Sequence, residues 1–158
     1  MNEPAKHPII TKAEQHYLDL ALKIESRKTA IFAAMKALLL ESIVVTYDGE
    51  SDEGQIESIT GSRYPAGYVP TNTDADLAAL VDVDLTGTPA VAASAYDFFP
   101  NLHELAEDLA WNLIEMHDAG FEDNDGGYGE ITFDAATGKV RMEINRRFVD
   151  VATSELEA

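Results

Sequence analysis

Apolar residues recur at a helical spacing along the first quarter of the chain. They return every seven positions from Tyr17 to Leu38, and further apolar residues fill the same stripe. This period predicts one long amphipathic helix over residues 11–41, where neither proline nor glycine interrupts the pattern. Thr11 followed by Glu14 is typical of a capping box, so we expect the helix to begin there.

A second helix is predicted to begin at Asn101. Asn101 and Glu104 have the spacing of an N-terminal capping signature, and apolar residues between 102 and 117 lie on one helical face. Gly120 stands where the glycine that ends a helix is commonly found. We therefore expect a helix that ends just before Gly120.

The segment between the two helices predicts a hairpin followed by a weakly patterned stretch. Residues 42–47 are β-branched and predict a strand, and residues 55–60 predict a returning strand. The intervening segment 48–54 is acidic and contains glycine, which indicates a loop. Residues 61–73 predict irregular structure, and residues 74–85 predict a short helix and a short strand.

The clearest hairpin lies near the end of the chain. Residues 128–134 and 139–147 alternate apolar and polar positions on either side of a turn at 135–138. The register that this turn implies pairs apolar residues on one face. On the polar face it places Glu130 opposite Glu143, an arrangement that destabilises a sheet unless a cation or a proton compensates.

These elements predict a single α+β domain over residues 11–149. We expect an antiparallel sheet of about four to five strands with two main helices packed on one face. The other face should be polar and open to solvent or to a partner. Residues 1–10 are expected to be a flexible N-terminus, and residues 150–158 an acidic tail.

The charge of the chain is unusual and unevenly placed. The 158 residues carry a formal net charge of -18, and residues 37–138 hold 21 acids against the single base Arg63. Such a field repels nucleic acid and anionic membranes, and it attracts cations or basic protein surfaces. It is also compatible with a role in solubility or salt adaptation alone.

The chain contains no cysteine, which excludes disulfides, zinc-thiolate sites and a cysteine nucleophile. It shows no apolar run of signal-peptide or membrane-spanning length, so the sequence predicts a cytoplasmic protein.

Three parts of the chain hold the candidate functional residues, namely the acidic segments 48–53 and 122–125 and the polar face of the last hairpin. A binding surface would be formed by nine carboxylates: Asp48, Glu50, Asp52, Glu53, Glu122, Asp123, Asp125, Glu130 and Glu143. The first segment lacks the glycine and the final acid of an EF-hand loop. The candidate metal ligands are Asp123, Asp125, Glu130 and Glu143. Ordinary acidic turns are the alternative for both loops.

Three strings resemble an uncharacterised bacterial family, a domain of unknown function associated with proteobacterial chromosomes and plasmids. They are T-Y-D-G-E-S-D-E-G-Q-I at 46–56, N-D-G-G-Y-G-E-I-T-F-D at 124–134 and M-E-I-N-R-R-F at 142–148. The resemblance implies no activity. It marks the same two acidic loops and the same hairpin, and it favours a role in a mobile element.

Three functional hypotheses remain open on the sequence alone. The leading one is a non-enzymatic module that presents an acidic surface to a basic protein, as a nucleic-acid mimic that inhibits a DNA- or RNA-binding or defence protein. The second is a metal-dependent enzyme that uses the four candidate ligands and a divalent cation. The third is an assembly module that forms a homodimer through residues 11–41. No cofactor is predicted under the leading hypothesis.

Overall fold

A computed structural model describes residues 9–123 and 125–148 of the chain. The predicted acidic tail and most of the predicted flexible N-terminus lie outside the described residues. The elements, in chain order, are α1 (Lys12–Ala37), β1 (Ser42–Glu50), β2 (Glu53–Arg63), α2 (Ala75–Ala79), β3 (Val81–Val83), β4 (Val91–Ser94), β5 (Asp97–Phe99), α3 (Leu102–His117), β6 (Gly127–Asp134) and β7 (Lys139–Arg146).

Five strands form one antiparallel sheet in the order β3-β2-β1-β6-β7, with β1 at its centre. The α+β prediction is thus confirmed. The register of the last hairpin is also as predicted, since Glu130 lies opposite Glu143 and Ile131 opposite Met142. A second, two-stranded sheet of β4 and β5 was not anticipated from the sequence.

Both long helices cover the same face of the sheet. Ile31 and Met35 of α1 and Leu105 and Leu109 of α3 are fully buried in one core. The sheet side of that core consists of alternate residues of its central strands, namely Ile43, Val45, Tyr47, Ile131 and Phe133. The opposite face has no helix over it among the described residues, and it exposes polar side chains such as Ser58, Glu130 and Glu143.

The start of α1 confirms the capping prediction but corrects part of the apolar stripe. The Thr11 hydroxyl accepts a hydrogen bond from the backbone N–H of Glu14 at 3.0 Å and donates one to its carboxylate at 3.1 Å. Tyr17, predicted to face the core, is 57% exposed. The physical reason is that residues 12–19 are all exposed, so the first two turns of α1 extend past the elements that could cover them.

The end of α1 contains a leucine in the left-handed backbone region. Leu39 has φ 59°, and the N–H groups of Leu39 and Leu40 donate to the carbonyls of Lys36 and Met35. This is a Schellman motif, in which the left-handed position is usually glycine. The helix therefore ends at Ala37 and not at residue 41 as predicted.

We expect Leu39→Gly to raise the free energy of unfolding by about 0.5–1 kcal/mol. The side chain is 77% exposed, so its removal loses little burial while it relieves the left-handed strain. Urea denaturation followed by circular dichroism measures the effect, with Leu39→Ala as the control that removes the side chain but keeps the strain. Equal stability of the two variants would contradict the explanation.

The predicted loop at 48–54 is wrong. Both strands continue to a two-residue turn at Ser51 and Asp52, where φ is 53° and 65°. Two consecutive positive φ angles are those of a type I′ turn, whose twist matches that of the flanking strands. Acidic residues at 48, 50 and 53 are typical of a loop, but a strand at the solvent-exposed end of a sheet tolerates them.

The other helix boundaries need smaller corrections. Asn101 caps α3 as predicted, since its side chain accepts from the N–H of Glu104 at 2.9 Å. The helix ends at His117 with Asp118 as its C-cap, so Gly120, at φ 78°, lies two residues beyond the cap. Among the described residues, no helix is both long and apolar enough to cross a membrane.

Candidate binding surface at the acidic end of the sheet

Seven of the nine predicted surface carboxylates lie at one end of the sheet, whereas Glu130 and Glu143 lie about halfway along β6 and β7 on the open face. At this end of the sheet the β1–β2 turn, the end of β7 and the connection from α3 to β6 meet. The N–H of Asp52 donates to the carbonyl of Glu122 at 2.9 Å, and the N–H of Arg147 donates to that of Gly126 at 3.0 Å. Backbone hydrogen bonds thus join segments that lie far apart in the chain.

A polar triad with a buried carboxylate at its centre holds this end together. The Asp118 side chain is fully buried, accepts a 2.7 Å hydrogen bond from the Tyr47 hydroxyl and forms an ion pair with Arg146. Burial and the neighbouring carboxylate raise the pKa of Tyr47 above its ordinary value, so the phenol stays protonated and remains a donor. The triad links β1, the end of α3 and β7.

Phe121 fills the space between the acidic connection and the sheet. It is only 3% exposed and meets the Tyr47 ring edge to face, with 5.1 Å between the ring centroids. A Cβ added at Gly49 or at Gly54 would fall 2.6 or 2.4 Å from the Phe121 ring. The glycines of the hairpin therefore make room for an aromatic side chain that directly precedes the acidic segment 122–125.

Asp48 is neutralised by an arginine. Its carboxylate pairs with both terminal nitrogens of Arg147 at 2.7 and 2.8 Å, and the Arg147 guanidinium lies 5.0 Å from the Tyr128 ring centroid. The hydrogen bond from Arg147 lowers the pKa of Asp48 below its ordinary value. Asp48 thus anchors the surface, and its charge is not available to a partner in the way that the exposed acids are.

The exposed acids surround two shallow depressions. The larger, of about 350 Å³, is lined by Glu50, Glu53 and Glu57 beside the Asp48–Arg147 pair. The smaller, of about 190 Å³, is lined by Glu57, Glu130 and Glu143 on the open face of the sheet. Glu57 lies in both because β2 bulges there, which adds one residue relative to β1.

The charge at this end is strongly unbalanced. We define the acidic end as eleven carboxylates, of which Glu130 and Glu143 adjoin the end on the open face, and two guanidinium groups, with a formal charge of -9 in total: Asp48, Glu50, Asp52, Glu53, Glu57, Asp118, Glu122, Asp123, Asp125, Glu130 and Glu143, with Arg146 and Arg147. Other acids are spread elsewhere, for example along α3. Only part of the negative charge of the chain is therefore concentrated at the acidic end.

The structure does not bring the four predicted metal ligands together. Asp123 and Asp125 line a depression beside Arg146 and Phe148, whereas Glu130 and Glu143 line the smaller depression on the open face. Within residues 9–123 and 125–148, no group of three or more histidine or acidic side chains is arranged to hold a metal ion.

Sequence reasoning missed the residues that build this end from inside. Tyr47, Asp118 and Phe121 form its buried support, Arg146 pairs with Asp118 from the surface, and Glu57 lines both depressions. Part of the signal was present, because two of the three quoted strings contain Tyr47 and the Arg146–Arg147 dipeptide. The sequence does not show that these strings, which lie far apart in the chain, meet in the folded structure.

Comparison with known proteins gives one match. No curated protein and no solved structure is significantly similar to the chain. The model of a family of unknown function, DUF6878, matches residues 23–157, which include every residue of the acidic end. Since this match covers well over half of the sequence, the chain belongs to the DUF6878 family.

Proposed function

We propose that this protein is a non-enzymatic binding module whose acidic end receives the lysine and arginine side chains of a basic protein. The observation that carries the proposal is a formal charge of -9 at the acidic end, where five exposed carboxylates line two open depressions, namely Glu50, Glu53, Glu57, Glu130 and Glu143. Charge complementarity of this kind speeds encounter and selects partners.

The geometry of the carboxylates favours surface recognition. Glu50, Glu53 and Glu143 are exposed, and within the described residues none of them forms an ion pair. Carboxylates in open depressions accept hydrogen bonds from guanidinium and ammonium groups at little cost in desolvation. The neighbouring anchors, Asp118 and Asp48, are already neutralised and hold the surface in shape.

The concrete form of the proposal is a nucleic-acid mimic of bacterial origin. Exposed carboxylates would take the place of phosphates in the basic site of a DNA- or RNA-binding protein, such as a host defence factor. The likeness of three strings to a family of proteobacterial chromosomes and plasmids supports a role in a mobile element. The same acidity makes direct binding to nucleic acid unfavourable.

A pair of matched variants tests the proposal. One replaces Glu50, Glu53 and Glu57 with glutamine. The control replaces three acids of α3, namely Glu107→Gln, Asp108→Asn and Glu115→Gln, so both variants lose three negative charges. Each immobilised protein is incubated with a bacterial lysate, and the captured proteins are identified by mass spectrometry.

We expect basic nucleic-acid-binding proteins to be captured by the native chain and by the α3 control. The variant of the acidic end should retain less than about a tenth of them, since each lost charge-assisted contact weakens binding. Added salt and duplex DNA should both elute the captured proteins. Equal losses in the two variants, or capture of proteins without basic surfaces, would refute the proposal.

A further inference from the structure

We propose that the protein forms a symmetric homodimer through antiparallel pairing of β7 with β7 of a second copy. β7 is an edge strand of eight residues, and within the described residues nothing pairs with its outer side. It contains neither proline nor a bulge, the features that commonly protect an edge from pairing. Its unpaired backbone groups are therefore ready to extend the sheet.

The charges of β7 select a second copy in one register. When the twofold axis passes through Met142, Arg141 of each chain lies opposite Glu143 of the other on the open face. Moving the axis to residue 141 or 143 would instead place like charges opposite each other, which destabilises a sheet. Some registers keep the open face of one copy continuous with the open face of the other. Among these registers, only the one centred on Met142 places Arg141 opposite Glu143.

The apolar side of β7 supports the same register. There, Val140 of one chain would lie opposite Ile144 of the other, and the two Met142 side chains would meet. Ile144 is 41% exposed in the single chain. Beside it, α1, the end of α3 and β7 enclose an apolar groove of about 490 Å³ that contains Ile24 and Met116. Apolar side chains of the second β7 would enter this groove.

The antiparallel arrangement also limits repulsion between two acidic chains. Lys139 and Arg141 lie at the start of β7, and the acidic end lies at its finish. Pairing about Met142 places the acidic end of each copy next to the basic start of β7 in the other. A dimer of this form continues the sheet through ten strands and carries one acidic end on each half.

Charge reversal tests the register directly. Arg141→Glu and Glu143→Arg each convert two attractive pairs into repulsive ones and should raise the dimer dissociation constant about 10-fold or more. The double variant restores both pairs and should return the constant to near the native value. Analytical ultracentrifugation at about 0.15 M ionic strength measures the constants, and thermal unfolding checks that each variant is folded.

A cross-link gives a second readout. Met142→Cys places two thiols across the axis at a Cα separation of about 4.5–5.5 Å, within the range of a disulfide. Since the native chain has no cysteine, a covalent dimer under oxidising conditions reports this contact alone. Lys12→Cys, on the exposed first turn of α1, is the control that should give no efficient cross-link.

Three results would overturn the proposal. One is a native chain that stays monomeric up to millimolar concentration. Another is a dimer that tolerates Arg141→Glu, or one that the double reversal fails to restore. The third is loss of the dimer in Leu22→Glu, whose side chain lies on the exposed side of α1, because that result would assign the interface to residues 11–41.

Discussion

Replacing Gly126 with alanine is expected to lower the free energy of unfolding by about 3 kcal/mol or more. Gly126 has φ 82°, and an added Cβ would lie 1.8 Å from the carbonyl oxygen of Gly49. The oxygen belongs to the backbone and the position of the Cβ is set by the backbone of residue 126, so no side-chain rotation can relieve the clash. The connection that carries Phe121 would have to move off the β1–β2 hairpin.

Gly138→Ala is the matched control for this prediction. Gly138 also has a positive φ, of 64°, but an added Cβ would meet nothing within 4 Å. The Gly138→Ala substitution should lower the free energy of unfolding by about 1 kcal/mol, which is the effect of the left-handed conformation alone. Urea unfolding followed by the fluorescence of Trp111, which packs 6.3 Å from the Phe121 ring, measures both variants. Similar losses in the two would show that the close approach at Gly126 does not matter.

The second large effect is expected at a buried arginine. Arg27 of α1 donates to the Asp97 carboxylate at 2.9 and 3.1 Å and to the Asn112 side chain at 2.7 Å, and it lies over the Phe99 ring. These hydrogen bonds lower the pKa of Asp97 below its ordinary value. Asp97→Ala should cost about 3 kcal/mol, because it leaves a buried guanidinium without its counter-charge.

A double-mutant cycle distinguishes this explanation from simple loss of packing. Arg27→Met combined with Asp97→Leu removes both charges and keeps apolar volume at the junction of α1, β5 and α3. We expect the double variant to be more stable than Asp97→Ala. Together with the single variants Arg27→Met and Asp97→Leu it closes the cycle, with a coupling of about 1–3 kcal/mol between the two positions. Additive losses in urea denaturation would contradict a buried ion pair.

The sequence was most informative where the signal is local. Thr11 with Glu14 and Asn101 with Glu104 located both helix starts, because capping depends on residues three apart. The last hairpin was predicted with its register, since alternation and a four-residue turn leave few ways to pair Ile131 and Met142. These features follow from rules that need no knowledge of the rest of the fold.

Prediction failed where distant segments decide the outcome. Acidic residues in 48–54 suggested a loop, yet this segment is a hairpin that Arg147 and Phe121 support from residues that lie far along the chain. Arg27 occupies a core-facing position of α1 because it pairs with Asp97 there. The helical pattern of the sequence does not reveal this pairing. Tyr17 follows the apolar period of α1, but its side chain is exposed.

For the candidate surface, sequence reasoning chose nine carboxylates, of which seven share one end of the sheet, but it missed why they do. It could not distinguish Asp48, which is paired, from Glu50, which is open, because the pairing arginine lies about a hundred residues away. The four candidate metal ligands do not come together for a similar reason, since Asp123 and Glu130 line different depressions.

The central position of β1 has a consequence for synthesis on the ribosome. Its partner β2 follows at once, but its other neighbour, β6, begins only at Gly127. A nascent chain therefore leaves the edge of β1 that pairs with β6 without its partner until some eighty further residues have emerged. Chains that stall in this interval would expose the unpaired edge of β1, so we expect co-translational chaperones to bind them at this strand.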